Sequence, residues 1–208
     1  ALTRLLNRTA FKREAHLLIQ SNPDQVGAMI FTDLDNLKYI NDTFGHDVGD
    51  RLIMRAGEMF RTFEKHGGVV SRISGDEFAI YLHGFAGKDA ARRLIYDQYR
   101  ENDDYSLNTP DGALQKIRSS SGIAFYPDDS NNVTDLLKLA DFAMYEAKHN
   151  RKGAIYEFSK ETYQNKAYLF ENREAINRLL DEVQIRFALQ PVVDLKTGEI
   201  YAYEALMR

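Results

Sequence analysis

The stretch Val69-Val70-Ser71-Arg72-Ile73-Ser74-Gly75-Asp76-Glu77-Phe78-Ala79-Ile80-Tyr81-Leu82 (residues 69–82) joins two short apolar runs through four turn residues. The runs Val69 to Ile73 and Phe78 to Leu82 have the length and composition of strands, and the residues between them suit a tight turn. The stretch therefore predicts a β-hairpin that carries two carboxylates, Asp76 and Glu77, at its tip.

A second acidic pair, in the order Thr32-Asp33-Leu34-Asp35, follows the apolar run from 26 to 31. Because side chains alternate along a strand, Asp33 and Asp35 are expected to point the same way. Carboxylates from neighbouring sheet elements can hold Mg²⁺, which prefers oxygen ligands and keeps positions free for substrate phosphates. The alternative is that these carboxylates are solvated turn formers and helix caps, and their spacing alone does not decide between the two.

The pattern around these strands predicts the remaining elements. Helices are expected at 3–20 (capped by Thr3 or Asn7), 36–43, 50–64, 88–101 and 134–148, strands at 113–125 and 154–158, and a polar loop at 102–112. This order favours an α+β sandwich with a central, mainly antiparallel sheet flanked by helices. Beyond it we expect a long polar helix from 160 to 183 and a strand–turn–strand unit from 186 to 208, so we place boundaries near 160 and 183.

The composition excludes several classes of protein. The chain has 208 residues, of which 44% are hydrophobic, and this is enough for a core and too much for a disordered chain. No apolar run approaches the roughly 18 residues of a membrane span. The net charge of −4 argues against nucleic-acid binding, and the lack of cysteine excludes disulfides and thiolate chemistry. We expect a cytoplasmic domain without direct membrane contact, and we interpret the sequence, which has no initiator Met, as part of a longer chain.

Two further constellations could bind a nucleotide. Asn41 and Asp50 offer an amide and a carboxylate that could recognise the edge of guanine, although both could equally be helix caps. Lys148 and Lys152 are spaced i, i+4 around a predicted helix C-terminus, where they could grip a triphosphate or simply interact with the helix dipole.

Together these strings resemble the GGDEF family, the diguanylate cyclase domain, over residues 2–158. The matching segments are Leu2-Thr3-Arg4-Leu5-Leu6-Asn7-Arg8, Phe31-Thr32-Asp33-Leu34-Asp35, Asn41-Asp42-Thr43-Phe44-Gly45-His46-Asp47-Val48-Gly49-Asp50, Arg72-Ile73-Ser74-Gly75-Asp76-Glu77-Phe78 and Ala140-Asp141-Phe142-Ala143-Met144-Tyr145-Glu146-Ala147-Lys148. The resemblance implies a fold like that of nucleotidyl cyclases and polymerase palms. It also implies a reaction in which two GTP condense into cyclic di-GMP with release of two pyrophosphates.

The resemblance implies a role for each part of the signature loop. Asp33 and Asp76 would bind Mg²⁺ (or Mn²⁺) together with the carbonyl of Leu34. Gly75, Asp76 and Glu77 are the candidate catalytic residues, and Glu77 would assist the metal site or deprotonate the attacking 3′-hydroxyl. Two cations can bridge phosphate oxygens and activate a hydroxyl, which agrees with this chemistry.

The resemblance also implies how the substrate is held. Asn41 and Asp50 would read guanine, while Lys38, Lys148 and Lys152 would hold phosphates. Because the product joins two nucleotides and each domain offers one GTP site, turnover is expected to need a homodimer.

The chain departs from the family at two places. Ser74 stands where the family has its first glycine, which lets the backbone approach the nucleotide closely. Lys65 and Gly68 stand at the two ends of the family's Arg-x-x-Asp product-inhibition motif, so no intact inhibitory site is expected. Ser74 favours an alternative function, a GTP-binding regulatory module that controls a downstream EAL phosphodiesterase.

The tail resembles the start of such an EAL domain, the cyclic di-GMP phosphodiesterase barrel. The matching segments are Phe187-Ala188-Leu189-Gln190-Pro191-Val192-Val193-Asp194-Leu195 and Glu204-Ala205-Leu206-Met207-Arg208. We therefore expect a GGDEF-like domain at 1–160, a connecting helix at 161–183 and the first hairpin of a truncated EAL domain at 184–208.

Overall fold

The computed structural model describes residues 2–166, 172, 187–194 and 196–207. The chain divides into two compact units, Ala1–Lys160 and Glu161–Arg208. The first unit contains the helices α1 (Arg8–Ser21), α2 (Leu37–Phe44), α3 (His46–Arg61), α4 (Lys88–Glu101) and α5 (Val133–Asn150), and the strands β1 (Val26–Leu34), β2 (Val69–Ser74), β3 (Glu77–Phe85), β4 (Ser106–Asn108), β5 (Leu114–Lys116), β6 (Ser119–Tyr126) and β7 (Ile155–Glu157).

A five-stranded sheet in the order β2-β3-β1-β6-β7 forms the centre of this unit. Its strand pairs are antiparallel except β6–β7, which is parallel. The predicted α+β architecture with a mainly antiparallel sheet is confirmed. β1 lies in the middle and is buried along nearly its whole length, which explains its almost unbroken apolar sequence.

Both faces of the sheet are covered by helices, because alternate residues of each strand enter different cores. One core joins Ile30 and Leu34 of β1 to residues of α2, α3 and α4. The other joins Met29 and Phe31 of the same strand to residues of α1 and α5. Asp33 lies two residues after Phe31 in the same strand, so its side chain points to the face that α1 and α5 cover.

Gly122 of β6 allows α5 to lie unusually close to the sheet. A Cβ at this position would lie 2.1 Å from the carbonyl oxygen of Ala140 and 2.1 Å from the amide nitrogen of Met144. Any larger residue would push α5 outward, so this glycine sets the height of the helix above the sheet.

Three predicted boundaries are wrong, each for a local reason. α1 begins at Arg8 because Asn7, rather than Thr3, caps it by accepting a hydrogen bond from the Ala10 amide. α3 begins at His46 rather than at Asp50. The single strand predicted at 113–125 is two strands, because β5 pairs with β4 in a separate two-stranded sheet that lies partly in the predicted loop.

The second unit contains β8 (Phe187–Val193) and β9 (Ile200–Met207), which pair antiparallel as the sequence predicts. Residues 160–166 are helical, and most of the predicted connecting helix at 161–183 falls outside the described residues. None of the helices in the described ranges is long and apolar enough to cross a membrane.

Candidate active site

Four polar side chains lie side by side across one end of the central sheet. Ser74 of β2 pairs with Glu77 of β3, Glu77 pairs with Asp33 of β1, and Asp33 pairs with Ser120 of β6. Directly paired residues on neighbouring strands point to the same face of a sheet. Ser74, Glu77, Asp33 and Ser120 therefore form one polar row on the face that α5 covers.

The turn of the signature loop joins this row to the end of β1. Gly75 occupies the first position of a two-residue turn with a φ of +26°, and its carbonyl accepts a hydrogen bond of 2.9 Å from Arg72 Nε. The carbonyl of Asp76 accepts a 3.0 Å hydrogen bond from the Leu34 amide. The structure thus brings together the two acidic segments, residues 33–35 and 76–77, that the sequence placed at the ends of two strands.

Asp33 is the most buried carboxylate of the row, at 6% exposure. Its Oδ2 atom accepts a 2.6 Å ion-pair contact from Lys148 Nζ, while its Oδ1 atom is buried without a hydrogen-bond partner in the described part of the chain. The pKa of Asp33 is raised to about 6, chiefly by burial and also by the negative charges of Asp76 and Glu77, against the lowering effect of the hydrogen bond from Lys148. A cation bound beside Asp33 would lower the pKa of its carboxyl and so favour the ionised form.

These residues fit a divalent cation that shares its coordination with a substrate. The Oδ1 atom of Asp33 is a buried oxygen that accepts no hydrogen bond from the described residues, and the Asp76 turn lies beside Asp33. Among the described residues, no three His, Asp or Glu side chains converge to form a complete metal site. Mg²⁺ commonly binds through one or two carboxylates and fills its other positions with water and phosphate oxygens, so an open site of this kind suits it.

Lys148 is not free to reach phosphates in this structure, since it pairs with Asp33. It lies in the last turn of α5, and the close packing at Gly122 brings that helix down to the polar row. The position of Lys148 is compatible with the predicted dipole interaction, but its ammonium group also pairs with Asp33, which the spacing did not predict. Lys152 and Lys38 are both exposed, Lys152 just after α5 and Lys38 in the first turn of α2.

Asn41 lies in α2 and Asp50 lies in α3, and α2 contacts α3 at Gly49. A Cβ at Gly49 would lie 1.8 Å from Oδ1 of Asn41, so the asparagine side chain rests against the backbone of the residue next to Asp50. Asp50 lies inside α3, which begins at His46, so the interpretation of Asp50 as a helix cap is wrong. The structure thus places the Asn41 side chain one residue away from Asp50 along the backbone of α3.

Sequence reasoning missed the hydrogen bonds that Ser120 makes with residues on either side of the site. Ser120 Oγ donates a 2.9 Å hydrogen bond to Asp35 Oδ1 and accepts one of 3.1 Å from the Gly153 amide. This chain of contacts ties the segment after α5, which carries Lys152, to the end of β1. The signal available in the sequence was the serine run 119–121 in the strand predicted at 113–125, but nothing in the spacing placed that strand beside the acidic residues.

Residues 65–68, which stand in place of the product-inhibition motif, form the end of a short helix and the turn that follows it. Lys65 is exposed in a short 3₁₀ helix, Thr62–His66. A Cβ at Gly68 would lie 2.8 Å from the carbonyl oxygen of Phe63 and 2.9 Å from a methyl carbon of Leu82. The backbone at Gly68 therefore has no room for an aspartate side chain.

Comparison with known families agrees with this geometry. Residues 1–154 match the model of the family described as "Diguanylate cyclase, GGDEF domain". The chain belongs to the GGDEF family. The crystal structure of the GGDEF domain of TpbB (YfiN) from Pseudomonas aeruginosa superposes with a TM-score of 0.68 at 31% identity, over 76% of this chain and 98% of that domain. The sheet and helices of the first unit are thus those of the GGDEF fold, as predicted.

Longer relatives align with the whole chain. The cyclic di-GMP phosphodiesterase NbdA of Pseudomonas aeruginosa is 31% identical over 100% of this chain and 26% of its own length. The bifunctional diguanylate cyclase/cyclic di-GMP phosphodiesterase MucR of the same organism is 29% identical over 100% of this chain and 30% of its own length. The chain therefore spans between a quarter and a third of these relatives.

Proposed function

We propose that residues 1–160 are a diguanylate cyclase domain that condenses two GTP into cyclic di-GMP and two pyrophosphates. The observation that carries the proposal is the polar row with the Asp76 turn beside it: the buried carboxylate of Asp33, with one oxygen unpartnered among the described residues, lies next to the half-buried Asp76 and Glu77 at one edge of a GGDEF fold. TpbB, whose GGDEF domain this chain resembles, is itself named a diguanylate cyclase.

The reaction needs a hydroxyl to attack a phosphate while charge accumulates on phosphate oxygens. The 3′-oxygen of one GTP forms a bond to the α-phosphorus of the other, the bond to the bridging oxygen of pyrophosphate breaks, and the hydroxyl proton is released. Asp33, Asp76 and the Leu34 carbonyl would hold Mg²⁺ or Mn²⁺, which offsets charge on the phosphates. Glu77, next to Asp33 in the row, would complete this site or accept the proton.

Substrate is held by groups on both sides of the row. Asn41 and Asp50 would bind the acceptor and donor groups of the guanine edge, at the meeting point of α2 and α3. Lys38 and Lys152 would contact phosphates, and Lys148 would exchange its contact with Asp33 for a phosphate oxygen once a cation neutralises that carboxylate. Because one domain holds one GTP, two domains must face each other for the two bonds to form.

The direct test is incubation of the protein with GTP and Mg²⁺ or Mn²⁺, followed by chromatography for cyclic di-GMP. Asp33→Ala and Asp76→Ala should each abolish product, and the double variant should be no worse than either, because groups that act as a unit are not additive. Asp24→Asn, which changes an exposed carboxylate in a turn, is the matched control. Full activity in either alanine variant would contradict the assignment.

The second candidate is a GTP-binding regulatory module. One contact and one substitution favour it: Lys148 neutralises Asp33, and Ser74 stands in place of the family's glycine. In that case calorimetry would show GTP binding, which Asn41→Ala weakens, without any cyclic di-GMP being formed. The β8–β9 hairpin would then be the beginning of the EAL phosphodiesterase domain that the module controls.

A further inference from the structure

Ser74 makes a specific contact within the polar row. Its Oγ atom donates a hydrogen bond of 2.6 Å to Oε2 of Glu77. This length is characteristic of a hydroxyl bound to an ionised carboxylate, a bond roughly twice as strong as one between neutral groups. The family's usual glycine has no side chain with which to form it.

The hairpin fixes this contact geometrically. Ser74 and Glu77 are paired across the two-residue turn, and a bulge between Arg72 and Ser74 shifts the register just before it. The Arg72 Nε contact to the carbonyl of Gly75 closes the turn from the other side. The serine hydroxyl therefore faces Glu77 because of the strand register, and not because of a chance rotamer.

The contact with Ser74 orients the Glu77 carboxylate, so a cation would bind through its other oxygen, Oε1. One carboxylate oxygen is engaged by Ser74, and on the opposite side of Glu77 lies Asp33 with its unpartnered Oδ1. Partners in the outer shell of a metal site orient the ligating carboxylates, and their loss commonly weakens metal binding 10- to 100-fold.

We propose that Ser74 is a positioning residue: its hydroxyl holds the Glu77 carboxylate toward Asp33 and thereby raises the affinity of this site for Mg²⁺ or Mn²⁺. The inference rests on the cyclase proposal for the identity of the site.

The test measures binding of Mn²⁺ alone by electron paramagnetic resonance, with competition by Mg²⁺ and without GTP. Because Ser74 is exposed and water can compete for Glu77, Ser74→Ala is expected to weaken Mn²⁺ binding by about tenfold, the low end of the outer-shell range. Ser74→Gly, which restores the family residue, should weaken binding as much, whereas Ser74→Thr, which keeps the hydroxyl, should restore it. Ser21→Ala, which removes an exposed hydroxyl bonded to a helix carbonyl, is the control.

The pathway through Glu77 is tested in a double-variant cycle. If Ser74 acts through Glu77, Ser74→Ala should have no further effect on Mn²⁺ binding in a Glu77→Ala background. Unchanged Mn²⁺ binding in Ser74→Ala, tighter binding in Ser74→Gly, equal losses in both backgrounds, or no Mn²⁺ binding by the wild-type protein would each overturn the inference. Failure of the cyclase proposal is seen separately, as absence of cyclic di-GMP in the GTP incubation.

Discussion

Replacing Asp33 by asparagine should make the protein more stable at neutral pH and inactive at the same time. Asp33 is buried beside Asp76 and Glu77, and the Lys148 contact does not fully offset this environment, because the carboxyl pKa is still raised to about 6. An amide has nearly the same shape, can accept the hydrogen bond from Lys148, and carries no charge. Functional sites often keep such destabilising groups because activity requires them.

The pH dependence follows from the difference between the folded and unfolded pKa. At about pH 3 or below, Asp33 is largely protonated in both states and the variant has little advantage. As the pH rises through the interval between 3.8 and about 6, the unfolded chain releases its proton first, so the folded state loses stability. At about 1.4 kcal/mol per pKa unit, the loss reaches about 3 kcal/mol above pH 7, and Asp33→Asn should recover it.

The assay is urea denaturation of the wild type, Asp33→Asn and the exposed control Asp24→Asn at several pH values between about 3 and 8, without divalent cations. The advantage of Asp33→Asn should grow from near zero to about 3 kcal/mol, while Asp24→Asn should follow the wild type. Added Mg²⁺ should then stabilise the wild type and leave Asp33→Asn unchanged. An advantage for Asp33→Asn that is the same at pH 4 and pH 8, or a variant less stable throughout, would refute this account of Asp33.

Three further predictions address binding and assembly. Gly49→Ala should weaken GTP binding measured by calorimetry, because the new Cβ displaces the Asn41 side chain; unchanged GTP affinity would argue against Asn41 as a guanine ligand. Turnover per chain should rise with protein concentration until the dimer is saturated, and a rate that stays flat while ultracentrifugation shows monomers would contradict the two-domain reaction. Cyclic di-GMP should bind weakly or not at all at the Lys65 surface, and tight binding in calorimetry that Lys65→Ala abolishes would show that an inhibitory site is present.

The elements that the sequence predicted well are those whose signals are local. The hairpin around Gly75 follows from two apolar runs and one turn, and α4 occupies the predicted residues 88–101 because its flanking glycine and polar residues mark both ends. The boundary of α3 was missed because a glycine, Gly45, occupies the capping position ahead of His46, whereas the prediction looked for a carboxylate cap at Asp50.

The contacts that define the site depend on tertiary structure, and spacing does not show them. Lys148 and Asp33 are far apart in the chain and meet because Gly122 lets α5 descend onto the sheet. The Ser120 contact with Asp35 likewise depends on the pairing of β6 with β1. The Ser74–Glu77 hydrogen bond could have been predicted from the sequence, because a two-residue hairpin turn pairs the two residues that flank it.

The tight backbone at Gly68 also limits how this lineage can change. An aspartate there would be the second half of the family's inhibitory motif, yet the first atom of its side chain would collide with the Phe63 carbonyl and with Leu82. A descendant that acquired the arginine at position 65 would gain nothing until the turn at 67–68 had been rebuilt, and one that acquired the aspartate first would fold less well. Building the motif into this chain would therefore take coordinated changes, an arginine at 65 together with a rebuilt turn at 67–68, because neither change alone is expected to create the binding site.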